Sequence, residues 1–285
     1  MTSNPLALQL YTVRDQLASG RKAVLEAIRG FGYAAVEPYD VLTDPEALRA
    51  DLDEAGLAVC AVHARALGED ADALLDGAKT VGADTVIVPW APPERFADAD
   101  AVRSLARDLN EGAARAADRG LRFGYHNHAF ELPPVAGQPT GLEALADALD
   151  PAVLLEVDTY WAAVGAMPPG GTSSPSTGGS RPPYPPGPNP PGAKARPGED
   201  VVPLLGRLGG RVRYLHVKDG PVTKDDPMTA VGGGLMPVAE ILAACPSAEW
   251  HVVELDRCAT DVLTAVRDSL TWLTGHGLAT AVPVR

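Results

Sequence analysis

Eight short apolar runs, each ending in polar or aromatic residues, constrain the fold of this chain more than any other feature. The runs are LALQLYTV (6–13), AAVEPYD (34–40), AVCAVHA (58–64), TVIVPW (85–90), LRFGYHNH (121–128), VLLEVDTYW (153–161), VRYLHVKD (212–219) and WHVVELD (250–256). Apolar runs of this length that are bounded by turn-forming or polar residues are typical of buried strands. We therefore predict eight strands.

Stretches of helical periodicity separate most of these runs. Apolar residues recur at three- and four-residue spacing, and most of the stretches end in glycine, the usual helix stop. They include RKAVLEAIRGFG (21–32), DPEALRADLDEAG (44–56), DADALLDGAKTVG (70–82) and AVRSLARDLNEGAARAADRG (101–120). Because parallel strands need long crossovers, eight such units predict one (β/α)8 TIM barrel spanning 1–285. A doubly wound open sheet is the alternative, but no Gly-rich phosphate fingerprint follows the first run.

One segment departs from this pattern. Residues 167–199 contain 11 Pro and 7 Gly in 33 positions, a composition that can neither pack a core nor form a regular backbone ladder. We predict an exposed, disordered insertion after the sixth strand, on the side of the barrel where active sites lie. A tolerated insertion is the simpler interpretation, because long flexible loops add little closure entropy. A lid or a partner tether is the alternative.

Charge and cysteine content disfavour several classes of protein. The formal charge of −13 and the lack of a Lys/Arg cluster disfavour a nucleic-acid partner. No apolar stretch approaches the roughly 18–20 residues that span a bilayer, and no charged segment leads into one at the start, so we expect neither a membrane span nor a secretory signal. Three cysteines without metal-type spacing fit a reduced, cytoplasmic protein.

Carboxylates and imidazoles cluster where the apolar runs end. Residues two apart on a strand share a face. Pairs with this spacing are His126 and His128, Glu156 and Asp158, His216 and Lys218, and Glu254 and Asp256, while Glu37 and His63 end the second and third runs. The carboxyl ends of barrel strands meet at one mouth. Since a buried unpaired charge is costly, one shared site at this mouth is the economical explanation.

The residue types at these ends suit a divalent cation. Asp158, His216 and Glu254 follow successive predicted strands, so they can converge. Mixed imidazole and carboxylate ligands suit Mn²⁺, Co²⁺, Zn²⁺ or Fe²⁺ and favour Mg²⁺ less. Only Cys60 among the cysteines lies near the predicted mouth, which argues against a thiolate zinc site.

The chain resembles the sugar phosphate isomerase/epimerase family of the xylose-isomerase-like barrels in five motifs. These motifs occur in the same order here and in the family: QLYTVRD (9–15), YHNHAFEL (125–132), LEVDTYWAAVGA (155–166), LHVKDG (215–220) and VVELD (252–256). Relatives that bind a single metal use Glu, Asp, His and Glu after strands five to eight. Asp158, His216 and Glu254 match the last three positions. His126 stands where the first Glu is expected, so the resemblance implies His126, Asp158, His216 and Glu254 as the ligands.

The resemblance also implies an activity. We expect a divalent-metal-dependent isomerase or epimerase of a small sugar or sugar phosphate that acts through an enediolate, with Glu254 as the base. Because His126 replaces one of the two family glutamates, Glu131 or His128 is expected to supply the second proton-transfer group. Substrate contacts are expected from His128, Lys218, Trp161, Glu37 and His63.

Several alternatives stay open at this point. A dehydratase of a keto-polyol such as an inosose would use the same metal site, and a non-catalytic sugar-binding barrel would keep the site without turnover. Gly233 stands where relatives often have Glu, which implies a different substrate contact there. The related barrel-type endonuclease of DNA repair is disfavoured by the acidic charge. Barrels of this kind often pair, so a homodimer is one expected assembly.

Overall fold

The computed structural model describes residues 4–135, 137–167 and 196–281 of the chain. The strands in these ranges are β1 (Asn4–Gln9), β2 (Ala35–Glu37), β3 (Ala58–Val59), β4 (Val62–His63), β5 (Thr85–Val88), β6 (Arg122–His126), β7 (Val153–Asp158), β8 (Val212–Val217), β9 (Trp250–Val253) and β10 (Ala279–Thr280). The α-helices are α1 (Arg14–Phe31), α2 (Pro45–Ala55), α3 (Ala71–Thr80), α4 (Ala99–Ala117), α5 (Gly141–Ala148), α6 (Thr159–Ala166), α7 (Val201–Leu208), α8 (Val238–Ala243) and α9 (Val262–Gly275).

The strands close into a parallel barrel. Their order is β3-β2-β1-β9-β8-β7-β6-β5-β4, and all of these neighbours pair in parallel. β3 and β4 are two pieces of the predicted third strand, one paired with β2 and the other with β5, so the ring closes through Cys60 and Ala61. The predicted (β/α)8 barrel is therefore confirmed, and the open doubly wound alternative is wrong.

Three of the predicted elements differ in secondary structure from the prediction over part of their length. The first apolar run continues from β1 into a 3₁₀ helix at Leu10–Val13. Helix α1 is interrupted by the extended backbone of Gly20, which explains why the predicted helical periodicity begins at Arg21. The sixth run ends as a strand at Asp158, whose side chain caps α6 by accepting from the Trp161 backbone N–H at 2.8 Å. Trp161 therefore lies on a helix rather than on a strand.

The barrel centre is packed with small and medium side chains. Ala7, Ala35, Ala61 and Val252 are buried there. Gly124 on β6 completes this packing, because a Cβ at that position would lie 2.7 Å from the Ile87 Cδ1 atom and 3.0 Å from the Leu154 carbonyl oxygen. The floor beneath the polar residues of the mouth is thus dense and apolar.

Most of the Pro/Gly-rich segment predicted to be disordered lies outside the described residues. At its end, the Arg196 guanidinium donates to the Glu240 carboxylate at 3.1 and 3.3 Å, and α7 follows from Val201. Within the described ranges, no helix is both long and apolar enough to cross a membrane.

Candidate functional site

Inward-facing side chains become polar two residues beyond the apolar floor, toward the carboxyl ends of the strands. Ala7 and Ala35 belong to the floor, and Gln9 and Glu37 follow two residues later on the same strands. The Glu37 carboxylate on β2 contacts the imidazole of His216 on β8 at 2.8 Å, although β1 and β9 lie between these strands. The polar side chains therefore meet across the barrel interior, as the two-residue period of a strand requires.

Three imidazoles converge on one carboxylate oxygen in this polar layer. Glu156 Oε2 lies 2.6 Å from His63 Nε2, 2.9 Å from His126 Nδ1 and 3.1 Å from His216 Nε2. All four side chains are buried. We call His63, His126, Glu156 and His216 the deep group.

Glu37 contacts the deep group directly, because its Oε2 atom lies 2.8 Å from His216 Nε2. Its Oε2 atom accepts from Gln9 Nε2 at 2.8 Å and lies 3.4 Å from His63 Nε2. The other oxygens of Glu37 and Glu156, their Oε1 atoms, are buried and accept no hydrogen bond from the described residues. Two buried carboxylate oxygens therefore have unused lone pairs.

A second set lies nearer the open end of the barrel. His126, Asp158, His216 and Glu254, which we call the mouth group, each place a ligand-type atom within 4.8 Å of the others. His216 Nδ1 lies 2.8 Å from Glu254 Oε2, and His126 Nε2 lies 3.8 Å from Asp158 Oδ2. His126 and His216 thus belong to both sets through opposite ring nitrogens.

Lys218 places its ammonium among the carboxylates of the mouth. Its Nζ atom lies 2.9 Å from Asp158 Oδ2, 2.7 Å from Glu254 Oε2 and 2.8 Å from Asp256 Oδ2. The lysine is only 1% exposed, so this charge has exchanged water for three carboxylates. The carboxylates of Asp158, Glu254 and Asp256 therefore already stabilise one buried positive charge at the mouth.

Burial and neighbouring charges act in opposite directions on the pKa values of the deep group and of Glu37. Burial acts to lower the pKa of His216, but Glu156 and Glu254 outweigh it and hold that pKa well above its ordinary value. Burial dominates at His126 and keeps its pKa well below the usual range. Burial and the neighbouring Glu156 raise the pKa of Glu37, whereas His216 and His63 hold the pKa of Glu156 low against its burial.

The pKa values of the two mouth carboxylates, Asp158 and Glu254, are shifted in opposite directions. Burial raises the pKa of Asp158 to about 6, although Lys218 and His216 oppose the rise. Burial would also raise the pKa of Glu254, but Lys218 and His216 hold it well below its ordinary value. Glu254 is therefore an anion at neutral pH.

Aromatic side chains form one wall of the mouth. The His128 ring stacks on Phe130 at 5.8 Å between centroids and lies 6.4 Å from the Trp161 ring. Trp161 Nε1 donates to Asp256 Oδ2 at 3.1 Å, and the Lys218 ammonium lies 5.8 Å from the Trp161 ring centroid. The wall thus places aromatic rings beside the charged groups, with the planes of His128 and Trp161 tilted by 31°.

Glu131 lies apart from both sets. Its Oε1 atom accepts from the Tyr125 hydroxyl at 2.8 Å, and its Oε2 atom accepts from the His128 backbone N–H at 2.9 Å. Burial raises the pKa of Glu131 to about 7. These contacts orient the His128 backbone, and the catalytic role predicted for Glu131 stays a prediction.

The residues present fit a divalent cation. Imidazole nitrogens and carboxylate oxygens are the donors that Mn²⁺, Co²⁺, Zn²⁺ and Fe²⁺ accept, and the unpartnered Oε1 atoms add spare lone pairs. Of the residues singled out in the sequence, the structure brings together Glu37, His63, His126, Asp158, His216, Lys218 and Glu254, with His128 and Trp161 at the edge.

Sequence analysis assigned no role to three contacting residues, although it placed Glu156 on one strand face with Asp158 and Asp256 on one with Glu254. Glu156 is the carboxylate on which three imidazoles converge, Gln9 donates to Glu37, and Asp256 accepts from both Lys218 and Trp161. Gln9 was not singled out, and its two-residue spacing from Ala7 is the signal that could have identified it.

Comparison with solved structures finds the same architecture. A sugar phosphate isomerase/epimerase from Parabacteroides distasonis is 19% identical with a TM-score of 0.71, and the match covers 98% of this chain and 96% of that chain. A probable 3-DHS dehydratase from Bacillus anthracis is 12% identical with a TM-score of 0.67, over 95% and 98% of the two chains. At such identities the likeness is one of fold alone.

A third similar structure contains a metal. It is a xylose isomerase-like TIM barrel protein from Mycobacterium smegmatis in complex with magnesium, 16% identical with a TM-score of 0.62, over 98% of each chain. No curated protein sequence matches the chain.

The parallel closed barrel and the polar cluster at its mouth define the class to which the chain belongs. Residues 25–274 match the family described as "Xylose isomerase-like TIM barrel". This range is most of the chain, so the protein belongs to the xylose isomerase-like TIM barrel family.

Proposed function

We propose that this protein is a divalent-metal-dependent isomerase or epimerase of a sugar or sugar phosphate. The observation that carries the proposal is the convergence of the mouth group and Lys218 at the carboxyl end of the barrel, where four acidic or imidazole side chains lie within 4.8 Å of one another. Active sites of such barrels lie at this end. Neighbours named for isomerase, epimerase and dehydratase activity make an enzyme the natural reading of this cluster.

The proposed ligands are the mouth group: His126, Asp158, His216 and Glu254. A bound Mn²⁺, Co²⁺, Zn²⁺ or Fe²⁺ would supply Lewis-acid stabilisation of a substrate oxyanion. Glu156 and Glu37 orient the imidazoles from below, because their Oε2 atoms lie 2.9 Å from His126 Nδ1 and 2.8 Å from His216 Nε2. Such outer partners fix which ring nitrogen is free to bind.

The side chains around this position have distinct proposed roles. Glu254 accepts the proton from the carbon next to the carbonyl, because it is anionic and belongs to the mouth group. Return of that proton to the neighbouring carbon gives isomerisation. Epimerisation instead needs a second group that delivers a different proton to the opposite face while Glu254 keeps the one it removed, and both groups then regain their starting protonation from solvent. For this second group we propose His128, whose buried Nδ1 accepts no hydrogen bond from the described residues. Lys218 holds a substrate oxygen, and Trp161 lies against the sugar ring.

Proton exchange with solvent tests the proposal directly. Aldoses, ketoses and their phosphates would be incubated with the metal-loaded protein in D₂O, and deuterium at the α-carbon would be followed by NMR. We expect exchange that requires metal and falls about 10²–10⁴-fold in Glu254→Gln. Glu26→Gln, an exposed change on α1, is the matched control.

The alternatives give different results in the same assay. Loss of a hydroxyl, seen as a new alkene or enol signal, would show that the protein is a dehydratase and not an isomerase. Sugar binding by the metal-loaded protein without exchange or turnover would contradict the enzyme and favour a binding protein.

A further inference from the structure

We propose that the deep group, His63, His126, Glu156 and His216, is a second cation position distinct from the mouth group. The proposal goes beyond the isomerase reaction and does not depend on it. His63 and Glu156 belong to this position alone, whereas Asp158 and Glu254 belong to the mouth alone.

The donor atoms of the deep group already point at one another. One ligand-type atom from each residue lies within 4.8 Å of the rest. Zn–N bonds of about 2.0–2.1 Å place neighbouring ligands of a tetrahedron about 3.4 Å apart. The distances from Glu156 Oε2 to the three nitrogens, 2.6, 2.9 and 3.1 Å, are shorter than this, so the side chains must rotate outward to admit an ion.

Hydrogen bonding alone explains this arrangement poorly. Three imidazole nitrogens crowd onto Glu156 Oε2, and one of them, His216 Nε2, also lies 2.8 Å from Glu37 Oε2, while Glu156 Oε1 is buried and accepts nothing from the described residues. A buried acceptor without a donor destabilises the fold, because it has given up its hydrogen bonds to water. A cation among these atoms would balance the carboxylate charge and use nitrogen lone pairs that otherwise need protons.

The second nitrogens of the shared rings face carboxylates of the mouth group. A metal-bound imidazole usually donates its other N–H to a carboxylate. When His216 binds an ion in the deep group through Nε2, its Nδ1 lies 2.8 Å from Glu254 Oε2 and can donate to it. His126 Nε2 lies 3.8 Å from Asp158 Oδ2, beyond hydrogen-bond distance. His216 therefore has its outer partner in place, whereas the His126 ring would have to move toward Asp158 to gain one.

The donor set selects the class of ion. Three imidazoles and one carboxylate suit Zn²⁺, Co²⁺ or Fe²⁺ and are poor for Mg²⁺ or Ca²⁺. The four residues are at most 8% exposed, so the position is closed by protein as in structural metal sites. Lys218, which compensates the mouth carboxylates, makes its ion pairs with Asp158, Glu254 and Asp256 and with none of the deep group.

Cobalt binding tests the proposal without an activity assay. Metal-free full-length protein would be titrated with Co²⁺, following the visible d–d absorption. We expect Asp158→Asn to keep a Co²⁺ site, and His63→Gln and Glu156→Gln each to weaken that site by more than the about 10–100-fold that loss of an outer partner costs. Because neutral shared rings serve one position at a time, we expect a second ion to bind the wild type more weakly.

Two results would overturn the deep position. One is that, in the Asp158→Asn background, His63→Gln and Glu156→Gln both leave the Co²⁺ affinity and spectrum unchanged. The other is an Asp158→Asn protein that binds no Co²⁺. Far-UV circular dichroism monitors folding, and His63→Gln provides a second variant in case burial of an amide at position 156 prevents folding. Failure of the deep position would leave metal-dependent proton exchange intact, whereas failure of the proposed reaction would leave these titrations unchanged.

Discussion

At the residue scale, Lys218 forms ion pairs with three carboxylates at once. Its ammonium lies within 2.9 Å of three carboxylates, two of which, Asp158 and Glu254, are themselves buried. Burial acts to lower the pKa of Lys218, but Asp158, Asp256 and Glu254 hold it well above its ordinary value. The lysine therefore remains charged, and its charge stabilises the ionised forms of Asp158 and Glu254.

Replacement of this lysine tests that dependence. Lys218→Met leaves buried carboxylates without their counter-charge, so we expect a loss of about 3–5 kcal/mol in unfolding free energy at pH 7 without metal. Because a divalent ion can take the place of the ammonium, added Mn²⁺ should restore part of the loss. Urea titrations with and without Mn²⁺ measure both effects. Exposed Lys224→Met is the control, and equal stability of the two variants would contradict the expectation.

His251 makes folding stability depend on pH. The ring is buried on β9, its Nε2 lies 3.3 Å from the Asn4 side-chain amide, and burial lowers its pKa to about 4. An unfolded histidine titrates near about 6.5, so between these values the unfolded chain binds more protons than the folded one. The contribution of His251 is therefore complete above the unfolded pKa and is lost as the pH falls toward 4.

This linkage predicts a slope that a substitution removes. The free energy of unfolding should fall with decreasing pH between 6.5 and 4 by up to about 1.4 kcal/mol per pH unit from this residue. His251→Gln should flatten the curve by that amount, as measured by denaturant titrations at several pH values. Exposed His276→Gln serves as the control. An unchanged slope in His251→Gln would show that the ring is not responsible.

At the scale of elements, a buried carboxylate organises the loop that follows β8. Asp219 accepts hydrogen bonds from the backbone N–H groups of Gly220, Gly232, Gly234 and Met236 at 2.8–3.1 Å. A Cβ at Gly234 would lie 2.1 Å from Asp219 Oδ1, so the loop wraps the carboxylate too closely for any side chain there. The same loop directly follows Lys218, which ties its conformation to the mouth.

Loosening of this loop is expected when Asp219 loses its charge. Hydrogen bonds to a charged group contribute about 1.5–3 kcal/mol each, and an amide provides a weaker acceptor for fewer of these donors. We expect Asp219→Asn to speed hydrogen exchange at residues 220–236 at least tenfold, as measured by mass spectrometry. Asp226→Asn, which lies in the exposed part of the loop and contacts Thr223, is the matched control. Equal protection in the two variants would argue against this role for Asp219.

At the scale of the whole molecule, the site joins strands from all round the barrel. Glu37, His63, His126, Asp158, His216 and Glu254 come from β2, β4, β6, β7, β8 and the end of β9, so an ion bound among them links distant parts of the closed sheet. Because the unfolded chain cannot assemble these ligands, binding free energy adds to folding free energy.

Metal binding should therefore stabilise the entire fold. At a free Mn²⁺ concentration one hundred times its Kd, the stability should rise by about 2.7 kcal/mol, which calorimetry would record as a higher Tm. The shift should be smaller in Asp158→Asn, which keeps only the deep group, and unchanged in Asp225→Asn, an exposed carboxylate in the loop after β8. The same Tm with and without divalent ions in the wild type would contradict a cation site in the barrel.

Several features of the fold and site could be read from the chain alone. Apolar runs with polar ends determine the eight strands and their parallel order, because period and length are local properties of the chain. The same alternation put Asp158, His216 and Glu254 at one mouth, since the carboxyl ends of barrel strands meet there whatever the loops do.

Only the tertiary structure decided how those groups pair. The break of the third strand at Cys60 and Ala61, the helical position of Trp161 and the convergence of His63, His126 and His216 on Glu156 depend on register and on contacts between strands that are far apart in the chain. The sequence determined which polar side chains face the barrel interior. Which of them lie within bonding distance was decided by the closure of the sheet, because distances across a barrel depend on the stagger of all its strands.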